Sequence, residues 1–76
     1  MDDEEILYVD GFEEAFFGYV EIFNKRIALY SRSLCLDILM SQGMNSEEAL
    51  EFYDFNLKGA YMGEFTPGFF IYKDEL

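Results

Sequence analysis

Residues 45–67, NSEEALEFYDFNLKGAYMGEFTP, decide the fold, because they mark both ends of an amphipathic helix. Asn45 followed three residues later by Glu48 is a capping-box pattern, and the paired glutamates fall in the first turn, where the helix dipole favours negative charge. Gly59–Gly63 ends the helix, and Thr66-Pro67 then breaks the chain. The stretch therefore predicts one helix with a well-marked start and stop.

This helix has an apolar face and a charged face. The apolar positions recur at helical spacing: Ala49, Leu50, Phe52, Tyr53, Leu57 and Ala60. On the opposite face, Glu47, Glu51, Asp54 and Lys58 follow one another at i, i+4, i+7 and i+11. We call Glu47, Glu51 and Asp54 the acidic stripe. Phe55 points into this charged side, so it is either an exposed binding residue or is covered by a terminal segment.

Upstream of this helix the pattern is that of strands. Residues 16–23, FFGYVEIF, alternate as a strand, in which Gly18 indicates a bulge or a close backbone approach. The alternative is a helix that starts within residues 13–18. Residues 6–9 fit a short edge strand. Asn24-Lys25 is expected to form a hairpin turn.

The second strand is expected at residues 26–30, with Ile27 and Leu29 directed inward. A first helix, very apolar, should follow a cap at Ser31 or Ser33 and end at Gly43.

Residues 68–72 form the last predicted strand. The expected fold is α+β: a single small domain over residues 1–76, in ββααβ order, with a short antiparallel sheet packed against two helices. Residues 1–5 are expected to be frayed. Close packing of the helix end against the sheet would explain Gly59 and Ala60.

Composition restricts the classes of partner. Sixteen carboxylates against five Lys and Arg give a net charge of −11, which disfavours direct binding to nucleic acid or to anionic membranes. Such acidity suits a basic protein surface, and it also serves solubility alone. The single cysteine fits a reducing cytoplasm, and no signal peptide or membrane span is expected. The KDEL ending, residues 73–76, is read as coincidental.

The sequence carries little that is typical of an enzyme. It has no His, and its one cysteine, Cys35, falls among apolar residues without a partner to activate it. No phosphate-binding loop, dinucleotide fingerprint or calcium loop is present. We therefore expect no catalytic residues, no cofactor and no metal.

Several residues resemble a known family. Asp10-Gly11-Phe12 with Ala15, and then Glu48-Ala49, Phe55-Asn56, Gly59-Ala60, Gly63-Glu64 and Thr66-Pro67, are similar to the DG(F/Y)xxA start and the EAxx(F/Y)xFNxxGAxxGExTP ending of small, mostly uncharacterised bacteriophage proteins. The resemblance covers residues 10–71, although residues 31–36 replace a more polar start of the first helix. It implies phage origin and a compact α+β fold, and it implies no activity.

The expected function is binding of a host protein in the bacterial cytoplasm, to inhibit or redirect it. The acidic stripe would steer the chain to a basic surface, and Phe55 would anchor it. Carboxylates one helical turn apart, about 5–6 Å, approach the spacing of phosphates along DNA, so the stripe, extended by residues 2–5 and 13–14, could mimic nucleic acid. The alternatives are a homo-oligomeric structural or accessory protein and a small-molecule-binding protein.

Overall fold

The computed structural model describes residues 6–75, and its strands and helices follow one another in the predicted order. The elements are a 3₁₀ turn (Glu13–Ala15), β1 (Phe16–Ile22), β2 (Lys25–Ser31), α1 (Arg32–Ser41), α2 (Ser46–Phe52), a π-helix (Tyr53–Lys58), β3 (Gly68–Phe70) and a terminal 3₁₀ turn (Lys73–Glu75). The α+β class and the ββααβ order are thus confirmed.

The three strands form a mixed sheet in the order β1-β2-β3. β1 and β2 pair in antiparallel orientation as expected, whereas β3 runs parallel to β2. The prediction of a wholly antiparallel sheet was therefore wrong. The connection of residues 59–67 can extend to about 30 Å, which exceeds the roughly 20 Å length of the preceding helix. The chain can therefore run back to the end of the domain at which that helix begins, and β3 then runs in the same direction as β2.

A β-bulge in β1 decides which side chains meet the core. The pairing register shifts between Phe16 and Gly18, and Gly18 adopts a φ of 142°. A bulge adds one residue to one strand and reverses the faces of the residues beyond it. Phe16 and Tyr19 consequently lie on the same face of the sheet, rather than on opposite faces as strict alternation predicts.

The second strand presents the opposite face to the core from the one expected. Ala28 and Tyr30 are buried in the core, whereas Ile27 and Leu29 are only partly buried and lie on the other face, beside Gly68 of β3. Predicting Ile27 and Leu29 as inward was wrong. Tyr30 pairs with Phe16 across the hairpin, and both side chains lie on the face of the sheet that the helices cover.

The hairpin turn lies one residue earlier than predicted. Phe23 and Asn24 form the turn, and β2 already begins at Lys25. Phe23 has a φ of 56°, in the left-handed region that tight hairpin turns require and that Gly or Asn occupies at lower cost. Asn24-Lys25 as the turn was therefore wrong, because the strand pairing extends up to Ile22 and Lys25.

Residues 6–9 pack against the domain without forming the predicted edge strand. The Val9 N–H donates a hydrogen bond of 2.9 Å to the hydroxyl oxygen of Tyr30, and the Tyr8 ring packs edge-on against Phe16. One side-chain acceptor takes the place of a strand partner for this backbone. Residues 1–5, expected to be frayed, lie outside the described residues.

The core lies between the inner face of the sheet and the two helices. Its buried apolar side chains are Phe12, Ala15, Ala28, Tyr30, Cys35, Leu39, Ala49, Tyr53 and Leu57. The Ser31 hydroxyl accepts a hydrogen bond from the Leu34 N–H and caps α1. Of the two expected caps, Ser31 and Ser33, the first is thus confirmed. Gly43, with a φ of 107°, follows the end of α1 as predicted. This arrangement leaves the charged side of α2 facing away from the core.

Candidate protein-binding surface

Local hydrogen bonds determine where the second helix begins. The Asn45 side chain accepts a hydrogen bond from the Glu48 N–H at 2.8 Å, and the Glu48 carboxylate accepts one from the Asn45 N–H at 3.0 Å. This is the predicted capping box, and it satisfies two backbone donors that the helix cannot satisfy itself. Glu48 is thus engaged in capping and does not belong to the acidic stripe, which starts at the neighbouring Glu47.

The helix changes its winding midway. From Tyr53 to Lys58 it is a π-helix, which has more residues per turn than an α-helix. Gly59 follows it, is exposed, and would bring an added Cβ to 2.8 Å from the carbonyl oxygen of Asp54. The prediction that Gly59 allows close packing against the sheet was wrong. Its missing side chain instead accommodates the widened last turn.

The acidic stripe is exposed along its length. Glu47, Glu51 and Asp54 all face solvent, on either side of the transition from α-helix to π-helix. The Asp54 carboxylate lies 3.4 Å from the ammonium group of Lys58, so the stripe ends in an ion pair. Exposed pairs at this spacing contribute about 0.5 kcal/mol or less, so a cationic partner could replace Lys58 at little cost.

Phe55 is exposed on the same side of the helix. Its side chain is 78% exposed, although Tyr53 and Leu57, on either side of it in sequence, are buried. Among residues 6–75 no segment covers Phe55, so the alternative of a covering terminal segment is contradicted for this part of the chain. An exposed aromatic ring four residues after Glu51 and three before Lys58 combines apolar area with charge, as at the centre of many protein interfaces.

The suggested extensions of the stripe have different outcomes. Residues 2–5 lie outside the described part of the chain. Glu13 and Glu14 are exposed on the 3₁₀ turn, and the Glu13 carboxylate accepts a hydrogen bond from the Gly11 N–H. No contact joins this turn to the stripe among the hydrogen bonds and ion pairs of residues 6–75, so the candidate surface consists of Glu47, Glu51, Asp54 and Phe55.

The buried ionisable groups are held in their neutral forms. Burial raises the pKa of the Cys35 thiol to about 11. Burial likewise raises the pKa of Tyr53 to about 12, against a smaller opposing effect of Arg32, whose guanidinium lies 5.7 Å from the Tyr53 ring. A thiol with a raised pKa is a poor nucleophile, so Cys35 acts as a small apolar core residue.

Two surface depressions bear on the small-molecule alternative. The larger, about 680 Å³, is lined by Ile6, Tyr19, Val20, Glu21 and Arg26, and the smaller, about 240 Å³, by Glu14, Leu34, Asp37, Ile38 and Ser41. In the larger one, Glu21 already pairs with Arg26 at 2.8 Å. Ligand sites are usually enclosed and lined by apolar residues with a few convergent polar groups, and neither depression combines these features.

Two further findings concern the described residues. Within residues 6–75, no three His, Cys, Asp or Glu side chains are grouped so that they could hold a metal ion. No helix in that range is both long enough and apolar enough to cross a membrane.

Sequence reasoning missed the most exposed aromatic side chain, Phe23, which is 102% exposed. The expected strand of residues 16–23 ends with Phe23. The hydrophobic alternation continues through Ile22 and Phe23, so no local signal separates strand from turn there. Only the pairing of Ile22 with Lys25 places Phe23 in the turn.

Comparison of the chain with protein-family models, with curated proteins and with solved structures found no match. The resemblance to small bacteriophage proteins therefore stays a prediction.

Proposed function

We propose that this chain is a phage-encoded protein without enzymatic activity that binds a basic surface of a host protein in the bacterial cytoplasm and thereby inhibits or redirects it. The single observation that carries the proposal is Phe55, an aromatic side chain 78% exposed on the same side of a helix as the acidic stripe. Burying an aromatic ring of about 200 Å² is the most favourable single contact that this surface offers.

The acidic stripe and Phe55 have different roles in this proposal. Glu47, Glu51 and Asp54 attract a cationic surface from a distance, which accelerates encounter and selects the partner by charge. Phe55 then supplies contact area in a desolvated pocket, where truncation of an anchor costs about 2 kcal/mol or more. In its most specific form, the proposal is that the chain mimics nucleic acid and binds a partner surface that otherwise holds DNA or RNA.

The proposal is tested by capture from a lysate of phage-infected bacteria on the immobilised chain. Glu51→Lys with Asp54→Lys should abolish capture, because it reverses the charge of the stripe. Glu14→Lys with Asp37→Lys is the matched control, since it makes the same change in net charge at exposed positions outside the stripe. Equal loss in both double variants would mean that only net charge matters and would overturn the assigned surface.

Two further variants sharpen the test. Phe55→Ser should weaken capture about 30-fold, the equivalent of about 2 kcal/mol. Lys58→Gln should strengthen it, because it releases Asp54 from its ion pair and makes the stripe more negative. Duplex DNA should displace a partner bound by mimicry, and capture should weaken as salt rises. A partner retained at high salt and unaffected by Phe55→Ser would contradict the proposal.

A further inference from the structure

The face of the sheet that points away from the helices is apolar, and no helix covers it among residues 6–75. The connection that precedes β3 contacts only its Lys25 end, through Glu64 and Phe65. We call this side of the sheet the open sheet face, and its side chains are Phe17, Val20, Ile22, Ile27, Leu29 and Phe70. None of these side chains belongs to the core or packs against it, whereas Phe16 and Phe69, on the inner face, do. All six are partly or largely exposed. A small domain thus presents one apolar sheet face to solvent.

The charge distribution suits self-association at this face. The chain has sixteen carboxylates, yet the other positions of β1, β2 and β3 that pair on this face are Gly18, Lys25, Ser31 and Gly68, none of which is acidic. The charged residue on this face of β2 is Lys25, and its ammonium group donates a hydrogen bond of 2.6 Å to the backbone carbonyl oxygen of Glu64. Two copies could therefore approach through this face with their carboxylates directed outward.

The two ends of the open sheet face complement each other. At one end, the ring of Phe17 lies 5.1 Å from that of Phe70 and 6.1 Å from that of Tyr72, as an aromatic cluster. At the other end, Phe23 projects from the hairpin turn, fully exposed and with a φ of 56°. Phe17 and Phe23 are separated by about 20 Å along the strand.

We infer that the open sheet face binds a second copy of this chain, with the two sheets packed face to face about a two-fold axis. When the two β1 strands run in opposite directions across the axis, the hairpin turn of each copy, which carries Phe23, lies at the end of the face where the other copy has its Phe17–Phe70–Tyr72 cluster. An interface of this kind is self-complementary, since every contact occurs twice. It also explains why a bulky aromatic residue occupies a turn position that favours Gly or Asn.

The area of the face fits a weak, reversible dimer. Taking about 200 Å² for a fully exposed aromatic side chain, the exposed parts of the open sheet face, Phe23 and Tyr72 amount to about 600 Å² per copy. The total of about 1,200 Å² is at the lower end of the range for specific complexes. Dissociation in the micromolar range is expected, and it should tighten as salt screens the repulsion between two copies of charge −11.

The test is sedimentation equilibrium of the whole chain from micromolar to near-millimolar concentration, at low and at high salt. The wild type should dimerise, more tightly at high salt. Phe23→Asn should weaken the dimer about tenfold, while the Tm of the dilute monomer stays the same or rises, because Asn accepts a positive φ more readily. Val20→Lys, which places a charge in the centre of the face, should abolish the dimer.

Phe55→Ser is the matched control, since it removes an equally prominent aromatic side chain from the helix surface and should leave the dimer unchanged. A wild type that stays monomeric throughout, a Phe23→Asn variant that dimerises as well as the wild type, or equal weakening by Phe55→Ser would each overturn the inference. The opposite dependence on salt separates this result from the proposed host-protein binding, which salt should weaken.

Discussion

Substitution of Gly59 by Ala tests the geometry that positions Asp54 and Phe55. Gly59 has φ −82° and ψ −4°, a conformation that Ala adopts without strain. By backbone conformation alone, the substitution should stabilise the protein by about 0.4–1 kcal/mol. In the structure, however, a Cβ would stand 2.8 Å from the Asp54 carbonyl oxygen and 3.4 Å from that of Phe55.

The contact with Asp54 reverses the sign of the expected effect. A separation of 2.8 Å is several tenths of an ångström too short for a carbon and a backbone oxygen, and neither atom belongs to a flexible side chain. Relief requires the last turn of the π-helix to shift, and overpacking of this kind costs about 1–3 kcal/mol. After the conformational gain, we expect a net loss of about 1–2 kcal/mol.

Urea unfolding followed by circular dichroism measures this loss directly. For a domain of this size, about 1–2 kcal/mol corresponds to a fall in Tm of roughly 5–15 °C. Asn56→Ala, at an exposed position of the same helix, is the control and should be neutral or slightly stabilising because Ala has the higher helix propensity. If Gly59→Ala stabilises the protein as much as its backbone conformation suggests, the π-helix does not end as described and the reasoning is refuted.

Three further perturbations probe the core and the helix start. Tyr30→Phe should cost about 1–2 kcal/mol in urea unfolding, because it leaves the part-buried Val9 N–H without its acceptor; a loss below about 0.5 kcal/mol would mean that water replaces the hydroxyl. Asn45→Ala should cost about 1 kcal/mol by removing the capping box, and an unchanged Tm would contradict that role. Raising the pH from 9 to 12 should lower the free energy of unfolding. Burial raises the pKa of Cys35 from 9.0 to about 11 and the pKa of Tyr53 from 10.0 to about 12. The unfolded chain therefore releases these two protons at a lower pH than the folded chain, which favours unfolding as the pH rises. Cys35→Ala should show a shallower decline between pH 9 and 11, and an identical decline would exclude a contribution from the thiol.

The two proposed surfaces use different exposed apolar side chains and suit two kinds of partner. Phe55 stands among carboxylates and suits a basic protein surface, whereas the open sheet face is free of carboxylates and suits a second copy. The first helix is very apolar in sequence, which would suit the alternative of a homo-oligomeric protein. In the structure, Leu34, Leu36 and Ile38 of α1 pack against the core, and a contiguous apolar surface lies on the open sheet face instead.

Features that depend on near neighbours in the chain could be predicted from sequence. The capping box of Asn45 and Glu48, the cap at Ser31 and the irregularity at Gly18 each arise from hydrogen bonds or backbone freedom within a few residues. Helical spacing also placed Phe55 on the charged side of the helix, away from the buried Leu57, although it left open whether another segment covers the ring.

Features that depend on distant parts of the chain were decided only by the tertiary structure. Strand alternation defines two faces of β2 and does not say which one the helices cover, so Ile27 and Leu29 were assigned to the wrong side. The parallel pairing of β3 depends on how far residues 59–67 carry the chain, and the placement of Phe23 in the turn depends on the pairing of Ile22 with Lys25. Sequence by itself therefore determined the order of the helices and strands, the capping box of the second helix and the side of that helix on which Phe55 lies. The packing between elements decided which sheet face remained open, because both faces carry apolar side chains and only the positions of the helices distinguish them.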